Sequence, residues 1–337
     1  MQGCLPVHIV HVSPWRLPVD RYGGSSRVLW WLARAQIRSG DQVCLFAPPG
    51  TWLPGAKCIE VPEPPSAPGF TRWILERLPS DTDIVHWQRM PALAPAIPWV
   101  VTVHGNSPGE LAPHPNKIFI SRSHAARGGS EAFVYNGLDP REFLFRETKD
   151  DYLLFLGKVG RPSKGVRWAL EVAARTGSEL VVAGGHRWDL RKTGGFWRSL
   201  SRRVHFLGEV AGWKKAELLA GARALLFPIQ WEEPFGLVMI EALVSGTPVL
   251  ATPRGAAAEV LTSKVGIFCS TIDEFCAAVR HVGDISPRDC RRHVLDHFTC
   301  EHMAAGYRNW YERMAACGRF LSGNGDQEER DCHTRFA

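Results

Sequence analysis

Trp231-Glu232-Glu233-Pro234-Phe235-Gly236-Leu237-Val238-Met239-Ile240-Glu241-Ala242-Leu243 decides how this chain is read. It follows a short apolar run, Ala224–Phe227, which has the length and composition of a buried strand. The quoted segment predicts a helix over about residues 235–245, with proline and glycine at its start. Such a start leaves the first backbone N–H groups unpaired and approachable, which suits a diphosphate. Eight residues separate Glu233 from Glu241, about 12 Å of helical rise over roughly two turns. One carboxylate then stands at the helix mouth and the other deeper on a similar side. A nucleotide sugar is long enough to use both, with sugar hydroxyls at one end and ribose hydroxyls at the other. Taken alone, the spacing fits solvated glutamates on a buried helix equally well.

Working outward, the strand–helix alternation recurs on both sides. Residues 7–12, 42–47, 83–86, 99–104 and 117–121 read as strands, with a helix over residues 25–38 after Tyr22-Gly23-Gly24. Asn136-Gly137 and Asp139-Pro140 are turn chemistry, and a charged stretch follows over residues 146–151. The alternation then restarts, with strands expected over residues 152–156, 179–183, 204–207, 224–227 and 248–251 and a helix over residues 165–175. This is the pattern of an α/β protein with doubly wound parallel sheets. We divide the chain into a domain over residues 1–145, a second over residues 146–298 and a last amphipathic helix over residues 299–316. That helix carries Met303, Tyr307, Trp310 and Tyr311 on one face. Residues 317–337 are polar and glycine-bearing and read as a disordered tail.

The bulk numbers set limits. The 337 residues are 45% hydrophobic and 22% charged, with a formal net charge of +6, so two ordinary cores are within reach and nucleic acid is not demanded. Nine scattered cysteines form no C-x-x-C pair, which reads as reduced thiols in a cytoplasmic protein. No apolar run approaches the roughly 18 residues that span a bilayer, leaving at most peripheral contact with the inner face of a membrane. Residues 187–203 mix Arg187, Arg191, Lys192, Arg198, Arg202 and Arg203 with Trp188, Phe196 and Trp197. They could grip an anionic lipid carrier or membrane, although a solvated face is the plainer reading.

From Leu226-Phe227-Pro228-Ile229 through Gly246-Thr247-Pro248-Val249-Leu250-Ala251, the wording resembles the signature of family 4 glycosyltransferases, E-x7-E motif included. The likeness runs from Tyr22-Gly23-Gly24 to the terminal helix and is similar to a compact bacterial subgroup. It implies a GT-B fold, in which two Rossmann-like domains face a cleft, with retention of anomeric configuration and neither metal nor cofactor. The first domain would then lie on the acceptor side and the second would hold the donor, with the terminal helix crossing back to the first.

The resemblance also gives roles. Gly157-Lys158 ends the first strand of the second half, and Lys164-Gly165 opens the next helix. Charge grows on the β-phosphate as a nucleotide diphosphate departs, and fixed cations with backbone dipoles can stabilise it there. The family usually has arginine where Lys158 stands, and lysine loses the bidentate geometry. Donor contacts are expected from Gly23, Gly24, Gly157, Phe235, Gly236, Leu237 and Glu241, and catalytic ones from Glu233, His104, Lys158 and Lys164. Ser26 replaces an acidic residue common in the subgroup. His104, after strand residues 99–103, is placed at a topological switch point beside the transferred sugar, and His86 is a weaker parallel.

Other signals lead elsewhere. Asp81-Thr82-Asp83 spells D-x-D but sits at a strand entry, so a metal role is not adopted. Residues 160–165 approach a Walker A loop, yet Val166 stands where lysine must reach phosphate. The expected reaction is hexosyl transfer from a nucleotide-diphosphate sugar, UDP-linked in preference to GDP-linked, to a glycan, lipid-linked or small-molecule hydroxyl. A GT-B UDP-sugar epimerase and a non-catalytic nucleotide-sugar-binding protein are the alternatives.

Overall fold

The structure is a computed structural model and describes residues 5–19, 23–62 and 68–321. Tyr22 and the tail beyond Leu321 lie outside the described residues. The chain divides into two compact units. Of the described residues, the first takes in 5–19, those of Gly23–Gly137 and Cys300–Leu321, and the second takes in Leu138–Thr299. Residues 138–145 therefore group with the second unit. Each unit is built on one parallel six-stranded sheet, so the α/β class with two parallel sheets is observed.

In the first unit the strands are β1 (His8–Val12), β2 (Gln42–Ala47), β3 (Lys57–Glu60), β4 (Ile84–Trp87), β5 (Trp99–Val103) and β6 (Lys117–Phe119), in the order β3-β2-β1-β4-β5-β6. The strand order reverses between β1 and β4. In the second unit β7 (Tyr152–Leu156), β8 (Glu179–Ala183), β9 (Val204–Phe206), β10 (Ala224–Phe227), β11 (Val249–Ala251) and β12 (Gly266–Phe268) run β12-β11-β10-β7-β8-β9, with the reversal between β7 and β10. Central strands such as β5, WVVTV, and β10, ALLF, are buried throughout. A parallel sheet covered on both faces asks for such unbroken apolar runs. The strands absent from the sequence reading, β3 and β12, are both edge strands. β3, KCIE, is exposed at both ends, and an edge needs no continuous apolar run.

Helices Gly24–Arg38 and Cys300–Leu321 pack together in the first unit. The terminal helix passes Ala316 and reaches Leu321. Met303, Tyr307 and Tyr311 are buried on its inner face, and Trp310 Nε1 donates to the Phe133 carbonyl at 3.4 Å. The two tyrosine hydroxyls close a buried polar network. Tyr311 meets His86 Nδ1 at 2.7 Å and accepts from Gln36 Nε2 at 3.1 Å. Tyr307 meets Thr102 Oγ1 at 2.7 Å, and Thr102 meets His86 Nε2 at 2.6 Å. Gln36 Oε1 accepts from His11 Nε2 at 2.7 Å. His86 is thus a core residue clamped by the terminal helix, which corrects its reading as a second sugar-side histidine. Both its ring nitrogens are already taken.

Candidate active site

In the second unit the strand order reverses between β7 and β10, the kind of position where α/β sheets place ligands. β7 leads into Gly157 and the half-buried Lys158, then a 3-10 turn at Pro162–Lys164. Gly165 follows in the left-handed region at φ 75° and opens helix Val166–Thr176. A methyl group at Gly165 would land on the Pro228 carbonyl oxygen, so only glycine lets this turn press on the segment after β10. The Gln230 N–H reinforces that contact by donating to the Ser163 carbonyl at 2.8 Å.

The close approach brings two sequence-distant candidates together. Lys164 Nζ lies 2.5 Å from Glu233 Oε2, with both side chains mostly buried. Trp231 Nε1 donates to the same oxygen at 2.7 Å, and Lys164 Nζ sits 5.0 Å from the Trp231 ring centroid. Both polar contacts fall on Oε2, so Oε1 is the carboxylate oxygen that neither engages. The Glu233 backbone is fixed from behind, where its carbonyl accepts from Ala256 N–H at 3.0 Å and Glu232 Oε2 accepts from Gly255 N–H at 2.7 Å. Trp231 as a partner of Glu233 was not expected from sequence, although its position two residues away is a local signal.

The helix after this loop is Leu237–Val244 and starts later than expected. Glu233 is therefore a loop residue, and the two glutamates do not share a helix. Gly236, at φ 82°, precedes the first turn, and no side chain caps that end. Phe235 is buried against Phe298, with ring centroids 6.0 Å apart. Glu241 lies in the second turn, 3% exposed. Both its oxygens contact Lys215 Nζ, Oε1 at 2.7 Å and Oε2 at 2.6 Å. Lys215, on helix Gly212–Gly221, was missed because nothing local in sequence ties it to Glu241.

The first unit holds the remaining candidates. His104 lies just beyond β5, one strand away from β4. The reversal is between β1 and β4, so His104 is not at the switch point itself. Its Nε2 meets Gln88 Oε1 at 2.9 Å, and Trp15 packs edge-on at 5.5 Å between centroids. Burial lowers its pKa to about 4, with Glu110 pulling it up and His124 pushing it down. A neutral ring that donates through Nε2 presents Nδ1 as its acceptor. Gly23, with Gly24, begins helix Gly24–Arg38. Ser26 Oγ turns back to donate to the Gly23 carbonyl at 3.2 Å. Asp81 and Asp83 are both engaged by His8, Asp81 Oδ2 with His8 Nδ1 at 2.7 Å and Asp83 Oδ2 with the His8 backbone N–H at 2.9 Å.

The chain is similar to known proteins in sequence and fold. Residues 150–284 match a family described as glycosyl transferases group 1. The chain is 29% identical over 305 residues to a phosphatidyl-myo-inositol mannosyltransferase of Mycolicibacterium smegmatis, covering 74% of this chain and 77% of that protein. Among solved structures it is similar to AviGT4, a glycosyltransferase involved in avilamycin A biosynthesis, with a TM-score of 0.76 and 26% identity over 92% of this chain and 98% of that one. The fold alone is shared with Anabaena HepE in complex with UDP and glucose, at a TM-score of 0.68 and 15% identity over 91% and 99% of the two chains.

Proposed function

We propose that this chain is a family 4-like glycosyltransferase of the GT-B type that moves a hexosyl group, with retention of configuration, from a nucleotide-diphosphate sugar to a hydroxyl acceptor. The observation that carries this reading is the Lys164–Glu233–Trp231 cluster beside the uncapped helix start at Gly236. A carboxylate fixed through one oxygen has the other available to accept from a sugar hydroxyl. The neighbouring ammonium and helix N–H groups suit the diphosphate.

In this reading the second unit is the donor domain. Lys158, Lys164 and the backbone of Gly157 and Phe235–Leu237 take the diphosphate, Glu241 takes the ribose and Glu233 the sugar. The first unit is the acceptor-side domain, and Gly23, Gly24 and His104 are its contributions. His104 stays neutral near pH 7 and so serves as a hydrogen-bonding group rather than a cation. The attacking hydroxyl approaches the face from which the diphosphate leaves, and a phosphate oxygen of the leaving group takes its proton. A new bond forms from acceptor oxygen to anomeric carbon as the bond from anomeric carbon to phosphate oxygen breaks. UDP-sugars are favoured as donors, and the setting is cytoplasmic with peripheral membrane contact. No helix among the described residues is long and apolar enough to cross a membrane.

The test is a panel of UDP-, GDP- and ADP-sugars, each with candidate hydroxyl acceptors, read by release of nucleoside diphosphate and by the anomeric configuration of the product. Wild type is expected to release diphosphate with at least one donor, and Glu233→Gln to reduce the rate at least about a hundredfold. EDTA should leave transfer in place, since Lys158 and Lys164 supply the cationic charge. Loss on chelation with recovery on manganese or magnesium would reopen the Asp81 and Asp83 reading. An inverted product, or a rate indifferent to Glu233→Gln, would overturn the mechanism.

A further inference from the structure

Residues 187–203 connect β8 to β9 on the second unit and hold six Arg or Lys against one Asp, a net +5 in a chain of net +6. Three large apolar side chains of the same segment stand out of the protein, Trp197 at 82%, Trp188 at 63% and Leu200 at 50% exposure. They are not scattered. Trp188 stacks on Phe196 at 5.3 Å, Phe196 meets Trp197 edge-on at 5.7 Å, and the Arg191 guanidinium lies 4.6 Å from the Trp188 ring centroid. The Leu200 N–H donates to the Trp197 carbonyl at 3.3 Å, and residues three apart in a 3-10 turn eclipse, so Trp197 and Leu200 share a face. Phe196 packs into the core of the second unit and anchors the row.

The charges around it are asymmetric. Asp189, the one acidic residue of the segment, turns its Oδ2 back to the His186 N–H at 2.8 Å. Arg198 is held by Glu171 at 2.7 Å, Arg187 donates to the Val204 carbonyl at 3.3 Å, and Arg203 donates to the Gly177 carbonyl. Arg191, Lys192 and Arg202 are exposed. Two exposed indoles and a leucine amid cations is the composition of a membrane-interface anchor, apolar bodies entering the headgroup boundary while basic groups meet anionic lipid.

We propose that this face docks the protein on an anionic phospholipid membrane. A strand of nucleic acid would also stack on indoles, but it needs a basic track along its backbone. Outside residues 187–203 the chain is close to charge balance at +1, the remainder of +6 after +5, and one compact cationic spot matches a lipid surface better. The proposal gives a place to the membrane contact of the functional reading and does not depend on the sugar chemistry.

The full chain is sedimented with vesicles of phosphatidylcholine alone and of phosphatidylcholine mixed with phosphatidylglycerol. It should pellet with the anionic vesicles, and less so as salt rises. The double variant R191Q/K192Q should lose about tenfold or more in apparent affinity, and Trp197→Ala should weaken binding without changing the melting temperature, since its side chain is in solvent. Failure to pellet with anionic vesicles, equal pelleting with neutral ones, or unaffected variants overturns the proposal. Capture of single-stranded DNA through the same residues, without vesicle binding, assigns the face to nucleic acid and overturns it as well. Glu233→Gln should leave vesicle binding unchanged while nucleotide release falls, so failure of the sugar reading and failure of this one are separately visible.

Discussion

At the scale of single residues, Glu241 shows what an ion pair conceals from sequence. The E-x7-E spacing singles it out, yet only the structure adds Lys215, whose ammonium contacts both carboxylate oxygens. The pair sits almost out of solvent, where truncating one member leaves the other buried and uncompensated. Glu241→Ala is therefore expected to weaken donor binding, since a lost charged hydrogen bond costs about 1.5–3 kcal/mol, and also to lower the melting temperature. Calorimetric titration with the donor separates the two effects. Unchanged affinity with a lowered melting temperature would restrict Glu241 to neutralising Lys215.

The histidines of the first unit make a second residue-scale prediction. Burial lowers His11, His104 and His124 to about 4 and carries His86 well down. The unfolded chain then binds more protons than the folded one between about pH 6.5, the ordinary histidine value, and pH 4. Stability is full above that window and falls as pH drops through it. Melting curves recorded from pH 7 to pH 4 should shift steadily downward below about pH 6.5. A melting temperature that is flat down to pH 4.5 would contradict the assignment of these rings as neutral and buried.

Among the elements, strands of the sheet interiors were legible because burial on both faces imposes unbroken apolar runs, as in β2, β5, β7 and β10. β3, KCIE, has a charged residue at each end, and β12 is only three residues long and opens on glycine, so neither was legible. The helix after β10 was legible in kind but not in its start, because Pro234, Phe235 and Gly236 continue the loop and Gly236 takes a left-handed conformation that a sequence does not display. The loop–loop contact at Gly165 was likewise invisible, since its reason is the distant Pro228 carbonyl. Gly165→Ala should strain the turn, displace Lys164 from Glu233 and destabilise the second unit by more than about 1 kcal/mol, with turnover falling further than donor affinity. Gly160 provides the control, because a methyl group there meets Asp189 Cβ at an ordinary 3.8 Å and should change little. Denaturant melts of both variants, alongside steady-state rates, decide it. Equal behaviour would show that the turn tolerates a side chain.

For the whole molecule, the consequential feature is that the first unit is discontinuous, taking its last helix from the far end of the chain after the second unit is complete. The amphipathic face of that helix was readable from Met303, Tyr307 and Tyr311, but its place in the first unit followed only from the resemblance, since no periodicity names a partner. The buried network gives the physical reason. Cys300–Leu321 supplies the Tyr311 and Tyr307 hydroxyls to His86, Gln36 and Thr102, and Arg308 pairs with Asp41 at 2.5 Å. A chain ending at Phe298 would expose the apolar surface that the helix covers, at about 1.5–3 kcal/mol per large side chain, and would lose these hydrogen bonds, at about 0.5–1.5 kcal/mol each. Several such losses together approach the roughly 5–15 kcal/mol by which a domain is stable. The truncated chain should lose cooperative melting of the first unit and all transfer. The second unit shares no residue of this network, and its donor affinity, measured by calorimetry on the same protein, should persist within a few fold. A two-transition melt of wild type that becomes a single transition after truncation, with donor still shifting it upward, is the expected result. Full transfer activity in the chain ending at Phe298 would show that the helix is not what holds the first unit together.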